Sequence, residues 1–537
     1  MTRLPALLLT IVLLGTAAAA NTLYWGGGNA NIPNGTVLST NITSLTGTWN
    51  LTTANWSTTT NGTTYTNWPS TGTANAAYIG YGLATTPTTG IAITQTVNMA
   101  LNQLTVNLPN TYDAVTLTAA TPMSLTLNGS NPTITQVIWD YRANSLSIGQ
   151  NVALAGTNGL TITYGTSPFF YGAVTYLNSD SSGLVGTVAL SPNPEYGDTL
   201  YLQNGGKLTG VGSFTLPEGA GFWVIPPSAS ARNDLGDTCA VRLQGGTFGY
   251  KGYKDATSPS TETIGSIVLD SWGMLDPSAS NGAGVKKGQL VTAIDRGPNG
   301  KGTLSVGAFN DGTEPPPDFA ADIIVTNYPT GVILPWMSHT RGIPMMLTPG
   351  GVITNVATTL APRDLSTWQP NQDYRAFSSQ IANDVFSNSI SPDLTINSLG
   401  VQINQTNLNN QTITIGATNT LTISSGYIGI GWDSNHGTWG GYSFTITGGN
   451  LTTTTNDLYL FAAHNLYSLE IDSAITGSCN VVASSGTGGA KRHPRRRDDE
   501  QLYRHDLCQW SPEPEEARRR DCLTCLADSI QHAQRVV

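Results

Sequence analysis

Apolar and polar positions alternate in short runs over most of this chain. From about Leu101 the runs QLTVN, AVTLTA, SLTLNG, SLSIG and LTITYG each set Val, Ile or Leu against Thr, Ser or Asn, and each closes near Gly or Asn. The pattern returns after Asp393 in LTINSLG, QTITIG, TLTISSG, YSFTITGG, DLYLFAA and YSLEID. A period of two bounded by turn residues is the signal of a half-buried strand. No long capped run with a 3.6-residue period interrupts it ahead of the final fifty residues.

Many short strands without helical crossovers predict an all-β chain. Two architectures satisfy that pattern: a right-handed parallel β-helix, or β-solenoid, and a series of tandem β-sandwiches. The composition favours the solenoid. Stacked coils bring like positions close together, which disfavours charge and rewards Thr and Asn ladders along the axis. Residues 1–490 carry only 14 Lys+Arg and 25 Asp+Glu. That acidic, sparse charge also excludes a nucleic-acid partner, which requires a clustered positive field.

Local composition divides the chain. Residues 1–20, MTRLPALLLTIVLLGTAAAA, read as a secretory signal peptide. Arg3 supplies the positive start, Leu4 to Leu14 the apolar stretch and Ala18 to Ala20 the small-residue cleavage site. The apolar stretch is short for a membrane span, and no later segment could serve as one, so no transmembrane segment is expected after cleavage. Residues 21–100 form an aromatic-rich start of the solenoid. Residues 101–220 and 393–490 carry the plain strand pattern. Residues 221–392 add longer Pro-rich loops such as VIPPSASARNDLGD and DGTEPPPD. Residues 491–537 are a charged tail expected to be irregular or a short helix.

Trp25, Trp49, Trp56 and Trp68 crowd the first of these segments. Such rings either cap the open end of a stack, where terminal repeats are atypical, or contact glycans by stacking on sugar faces. They are the candidate binding residues of the sequence.

Several motifs share a family likeness. YWGGG, GTWNLTTANWS and YTNWPSTGTANAAYIG resemble the opening of bacterial autotransporter-associated β-strand repeat proteins. TGVILPWMS and AITGSCNVVASSGTGG resemble later parts of the same family. The resemblance implies a secreted or surface-exposed passenger-type β-helix. It brings no catalytic residues with it. Two departures stand out: no membrane barrel follows, and the repeat expected after SGTGG is missing.

The tail explains the second departure. The final 47 residues hold 19 of the chain's 58 charged side chains. Lys491 to Pro494 can be encoded AAA CGC CAC CCT, and one base later that string reads Asn-Ala-Thr-Leu. With permitted codons the shifted frame continues as NATLAGATTNSYTGTTYVSGALSL, which restores strand alternation and low charge. Residues from about Lys491 onward are therefore expected to be a non-native frameshift product. The two RRR runs are interleaved with acids and suit a solvated surface. Cys522 and Cys525 have metal-type spacing but lack a second ligand pair. Only Cys239 and Cys479 lie in the body, too few for a disulfide scaffold.

No catalytic residue, cofactor-binding residue or metal ligand stands out, and no cofactor is expected. The expectation is a structural or adhesive protein, secreted or on the cell surface, whose partners are glycans or cell surfaces. The alternative is a polysaccharide lyase or glycosidase on the same fold. That reading needs clustered carboxylates and cations. Its best candidates are Lys286, Lys287, Asp295 and Arg296, with Asp311, Glu314, Asp318 and Asp322. His339, His436 and His464 are isolated from any nucleophile motif, and no G-x-S-x-G, H-E-x-x-H or P-loop occurs.

Overall fold

The computed structural model describes residues 21–26, 46–58, 65–69, 75–80, 91–108, 114–138, 145–165, 173–192, 198–228, 233–253, 260–277, 287–307, 321–377, 386–403, 411–432, 442–462 and 467–485. The expected leader and the charged tail lie outside these residues. The described chain is a β-solenoid of about 11 turns with no α-helix. Among the described residues a single 3-10 turn, Leu365–Thr367, is capped by the Asp364 carboxylate, which accepts the Ser366 N–H.

Coil-on-coil pairing follows from the alternation. Each coil returns the chain to the same face, so inward apolar positions line up in rows. Leu104, Ile134, Ile162 and Leu190 are successive in-register partners, and all are buried. On the facing sheet Leu200, Phe222, Phe248 and Leu275 form an equivalent row. Phe214 and Phe222 stack across the interior at 4.3 Å. Burying each such side chain contributes about 1.5–3 kcal/mol. The outward rows hold the polar partners. The hydroxyls of Thr135 and Thr163 lie 2.7 Å apart, and those of Thr187 and Ser213 lie 2.9 Å apart.

The first stack has two 13-stranded sheets that face each other, and a 3-stranded sheet forms a third side. Nearly all its pairings are parallel, but antiparallel strands close both ends. At the start Asn21–Trp25 pairs antiparallel with Trp56–Ser57. At the far end Ile333–His339, Pro344–Leu347 and Ile353–Asn355 form an antiparallel meander. Such closures remove an open parallel edge.

A second stack begins at Thr359–Leu360 and forms its own 9-stranded sheet through Asn480–Ser485. It has a separate core built on Ile396, Leu399, Ile413, Ile428 and Ile446. The ladder thus breaks between 355 and 359. The compositional boundary at 392/393 falls inside the second stack instead, because composition tracks loop content and not strand pairing.

The second stack folds back along the first. Early in it, Gly400 approaches the Gly342 carbonyl. Further along, Tyr427 meets Ser338 through hydroxyls 2.7 Å apart. At its last described strand, Ser484 meets Thr303 at 2.7 Å. Gly342 (φ 72°) and Gly431 are packed so closely that a Cβ on either would overlap the other's backbone. Arg296 lies between the Trp336 and Tyr459 rings, 5.2 and 5.5 Å from their centroids. It also donates to the Tyr459 hydroxyl at 2.6 Å, while Lys301 pairs with Asp457. The outer face of one 13-stranded sheet is therefore covered near its end by the second stack.

Candidate functional site

The same sheet face is open further toward the N-terminus, and there it carries aromatic rings. Val174–Leu177, Thr199–Leu202 and Gly221–Val224 are adjacent parallel strands. In each, the inward positions are Leu, Thr, Phe or Val, and the third residue points outward. Those third residues are Tyr176, Tyr201 and Trp223, in mutual register. All three are half-buried. The Tyr176 and Tyr201 rings stack at 5.3 Å with an interplanar angle of 16°, and Trp223 follows at 5.7 Å and 34°.

Two glycines set the pose of Trp223. Gly221 precedes it on the same face, and Gly249 is its register partner on the next coil. A Cβ on either glycine would fall on the indole ring. Trp223 therefore lies over bare backbone and remains half-buried there. Neither glycine uses a left-handed φ, so the space, not the backbone, calls for glycine there.

Polar groups flank the rings. Asn204 donates to the Asn178 side chain at 2.9 Å, and Asn178 donates to Ser147 Oγ at 3.0 Å. Ser147 is the register partner of Tyr176, so this amide ladder runs beside the tyrosines. The Lys251 ammonium sits 5.9 Å above the Tyr201 ring. Burial, then the neighbouring Tyr176 and the Asp276 charge, push the Tyr201 phenol up, so it remains a neutral donor and acceptor.

The four N-terminal tryptophans are placed differently. Trp25, Trp49, Trp56 and Trp68 are each at most 2% exposed. They form one packed cluster, with centroid separations of 5.1 Å for Trp25 and Trp56, 4.9 Å for Trp49 and Trp56, and 4.7 Å for Trp56 and Trp68. Of the two roles open to these rings, the geometry is that of an end plug, since their faces cover one another. The indole N–H groups of Trp49, Trp56 and Trp68 have no acceptor among the described residues.

The acidic and basic candidates separate. Lys286, Asp311, Glu314 and Asp318 lie outside the described residues, as do His436 and His464. Lys287 pairs with Asp322 at 3.7 Å at one end of the strand Gly288–Asp295. Asp295 and Arg296 lie at its other end, roughly 25 Å away at 3.3 Å per residue. Asp295 accepts the Gly297 N–H, and Arg296 belongs to the joint between stacks. The described members of this set thus do not converge in one groove. Among the described residues no group of three or more His, Cys, Asp or Glu could hold a metal ion, and no helix is long and apolar enough to cross a membrane.

Three buried ionisable groups have structural explanations. The Glu262 carboxylate, fully buried, accepts the backbone N–H of Asp234 at 3.0 Å and of Leu235 at 2.8 Å, and so holds a corner of the preceding coil. Burial, with Glu262 nearby, pushes the Cys239 thiol up to about 12, so it behaves as a small apolar side chain. His339 is enclosed at the joint and accepts the Arg341 N–H on Nδ1.

No family model, no curated protein and no solved structure matches this chain.

Proposed function

We propose that this protein is an exported structural and adhesive β-solenoid, displayed outside the cell as a rigid body whose flanks contact glycans or cell surfaces. The observation that carries the reading is the pair of stacks laid side by side. Backbone pairing runs from coil to coil through both of them, and such an architecture supports long, repetitive surfaces. The leader-like first twenty residues, the low charge and the resemblance to passenger-type repeat proteins agree with it. The polysaccharide-active alternative has less support, because Lys287 and Asp322 stand apart from Asp295 and Arg296.

The test uses the full chain. It is expressed with its first twenty residues in a secreting host, fractionated, and applied to immobilised cells and cell-wall preparations. The reading expects export with shortening near Asn21, and retention on at least one surface. Retention inside the host, or indifference to every surface, would remove it.

A further inference from the structure

The outward rows of the first stack are mostly Thr, Ser, Ala and Gly. The row through Ser147, Tyr176, Tyr201, Trp223 and Gly249 departs from that in mid-run. Three large aromatic side chains in register on a water-facing sheet leave apolar area partly exposed, and neighbouring strands could carry threonine at no loss to the core. Concerning this row, which rests on the adhesive reading above, we propose that Tyr176, Tyr201 and Trp223 form a binding strip for a neutral polysaccharide chain lying along the solenoid axis.

The chemistry selects that ligand class. A pyranose ring has a flat face of C–H bonds and a rim of hydroxyls. Trp223, lying flat over Gly221 and Gly249, offers the matching apolar face. The Ser147, Asn178 and Asn204 side chains supply donors and acceptors along the edge. Tyr176 and Tyr201 stack on one another and Trp223 follows on the next strand, so Trp223 supplies the stacking surface and the tyrosines extend the strip along the axis, which suits a polymer chain better than a single small molecule. Nucleic-acid bases also stack on aromatics, but such grooves carry dense positive charge for the backbone. Here Lys251 is one cation, with Asp276 one register step beyond Gly249, and the strip has no net field to select a polyanion.

The experiment is affinity electrophoresis of the full chain in gels containing soluble β-glucan, starch, galactomannan, xylan or alginate. Wild type, Trp223→Ala, Trp223→Phe and Gly249→Ala are compared. The proposal expects retardation by at least one neutral polysaccharide and little by alginate. Trp223→Ala should weaken binding about tenfold or more, in line with loss of an aromatic anchor. Trp223→Phe should retain part of it. Gly249→Ala, which leaves every ring in the sequence but lifts Trp223 off the sheet, should weaken it too. Circular dichroism and Tm guard against misfolding, since Trp223 lies outside the core.

Equal retardation of wild type and Trp223→Ala would overturn the strip, as would preference for alginate or no retardation by any polysaccharide. Conversion of a wild-type dimer to monomer by Trp223→Ala, without a change in glycan binding, would also overturn it and make the strip a self-contact. The same proteins applied to cell surfaces separate the two ideas. Adhesion that survives Trp223→Ala leaves the scaffold reading standing, and its absence from wild type removes that reading.

Discussion

The hydroxyls of Ser338 and Tyr427 meet at 2.7 Å in a buried contact between the two stacks. Ser338 Oγ also donates to the His339 carbonyl at 2.9 Å, so Tyr427 is the donor to Ser338. Burial holds the Tyr427 phenol protonated well above its ordinary range. Ser338 belongs to the closing meander of the first stack, and Tyr427 to the long strand Gln411–Trp432 of the second. This relay is one of the points that fix how the chain doubles back.

Removing either end of the relay should weaken the joint. Ser338→Ala and Tyr427→Phe are each expected to lower stability by about 1–2 kcal/mol, because a buried polar atom loses its partner. The double variant should be less destabilised than the sum of the two, with a coupling near 1 kcal/mol. Denaturant titration of the four proteins measures this, and strict additivity would mean the hydroxyls do not pair.

Acid should loosen the same region. Burial, and secondarily the Arg341 charge, lower the His339 pKa from 6.5 to about 3. Between those values the unfolded chain binds a proton that the native chain excludes. Stability is therefore fully present above pH 6.5 and falls as pH drops toward 3, by about 1.4 kcal/mol per unit. Asp457 adds to the loss at lower pH. Burial acts to raise its pKa, but hydrogen bonds from Lys301 and Asn480 outweigh that and bring it below 3.8. Its contribution is present above 3.8 and disappears as pH falls through its folded value. Thermal melts from pH 7 to 4 should show the slope, and His339→Gln should flatten it.

The tryptophan plug should be shielded and structural. Acrylamide should quench Trp223 in preference to the Trp25, Trp49, Trp56 and Trp68 cluster, as comparison of wild type with Trp223→Phe would reveal. Trp56→Ala should cost about 3–5 kcal/mol locally and open the first coils to protease. Ready quenching of the cluster would contradict its burial.

Strand positions were the most legible feature of the sequence. QLTVN, AVTLTA, SLSIG and LTITYG correspond to Gln103–Leu108, Ala114–Thr118, Ser145–Ile148 and Leu160–Gly165. In each, alternation reports directly which side chains meet the core. QTITIG and TLTISSG, read as two runs, are one strand, Gln411–Trp432, whose pairing shifts register between Ile415 and Thr420. Alternation does not encode such a shift. The aromatic strip was hidden for a related reason. Tyr176, Tyr201 and Trp223 are separated by coils of unequal length, because the loops vary while the pairing does not. A fixed-period search cannot bring them into one row, although VTYL, TLYL and GFWV each mark the outward position locally. The tryptophans near the start stand out because they are close in sequence, but closeness in a solenoid's first coil favours mutual burial.

The tail makes a prediction about DNA. The nucleotides following the codon for Ala490, read one base later than the frame that encodes Lys491 onward, should continue the Thr, Leu and Asn alternation through a Tyr-Thr-Gly turn. Direct sequencing of the gene across this point checks it. Codons whose shifted reading gives a charged or interrupted sequence would make the tail native.

The alignment of successive coils underlies both the stack and the strip, and a disulfide trap tests it most directly. Thr135 and Thr163 are in-register neighbours with their hydroxyls 2.7 Å apart, within reach of a disulfide after substitution. Ser191 follows Ile162's partner Leu190 one coil further on, about 9.5 Å from Thr135 and beyond that reach. In a background with Cys479, Cys508, Cys522 and Cys525 changed to Ser, mild oxidation should join Thr135→Cys to Thr163→Cys nearly completely. It should leave Thr135→Cys with Ser191→Cys unjoined, as peptide mass spectrometry would report. Failure of the first pair to close, or equal closure of both, would contradict the parallel, coil-on-coil register.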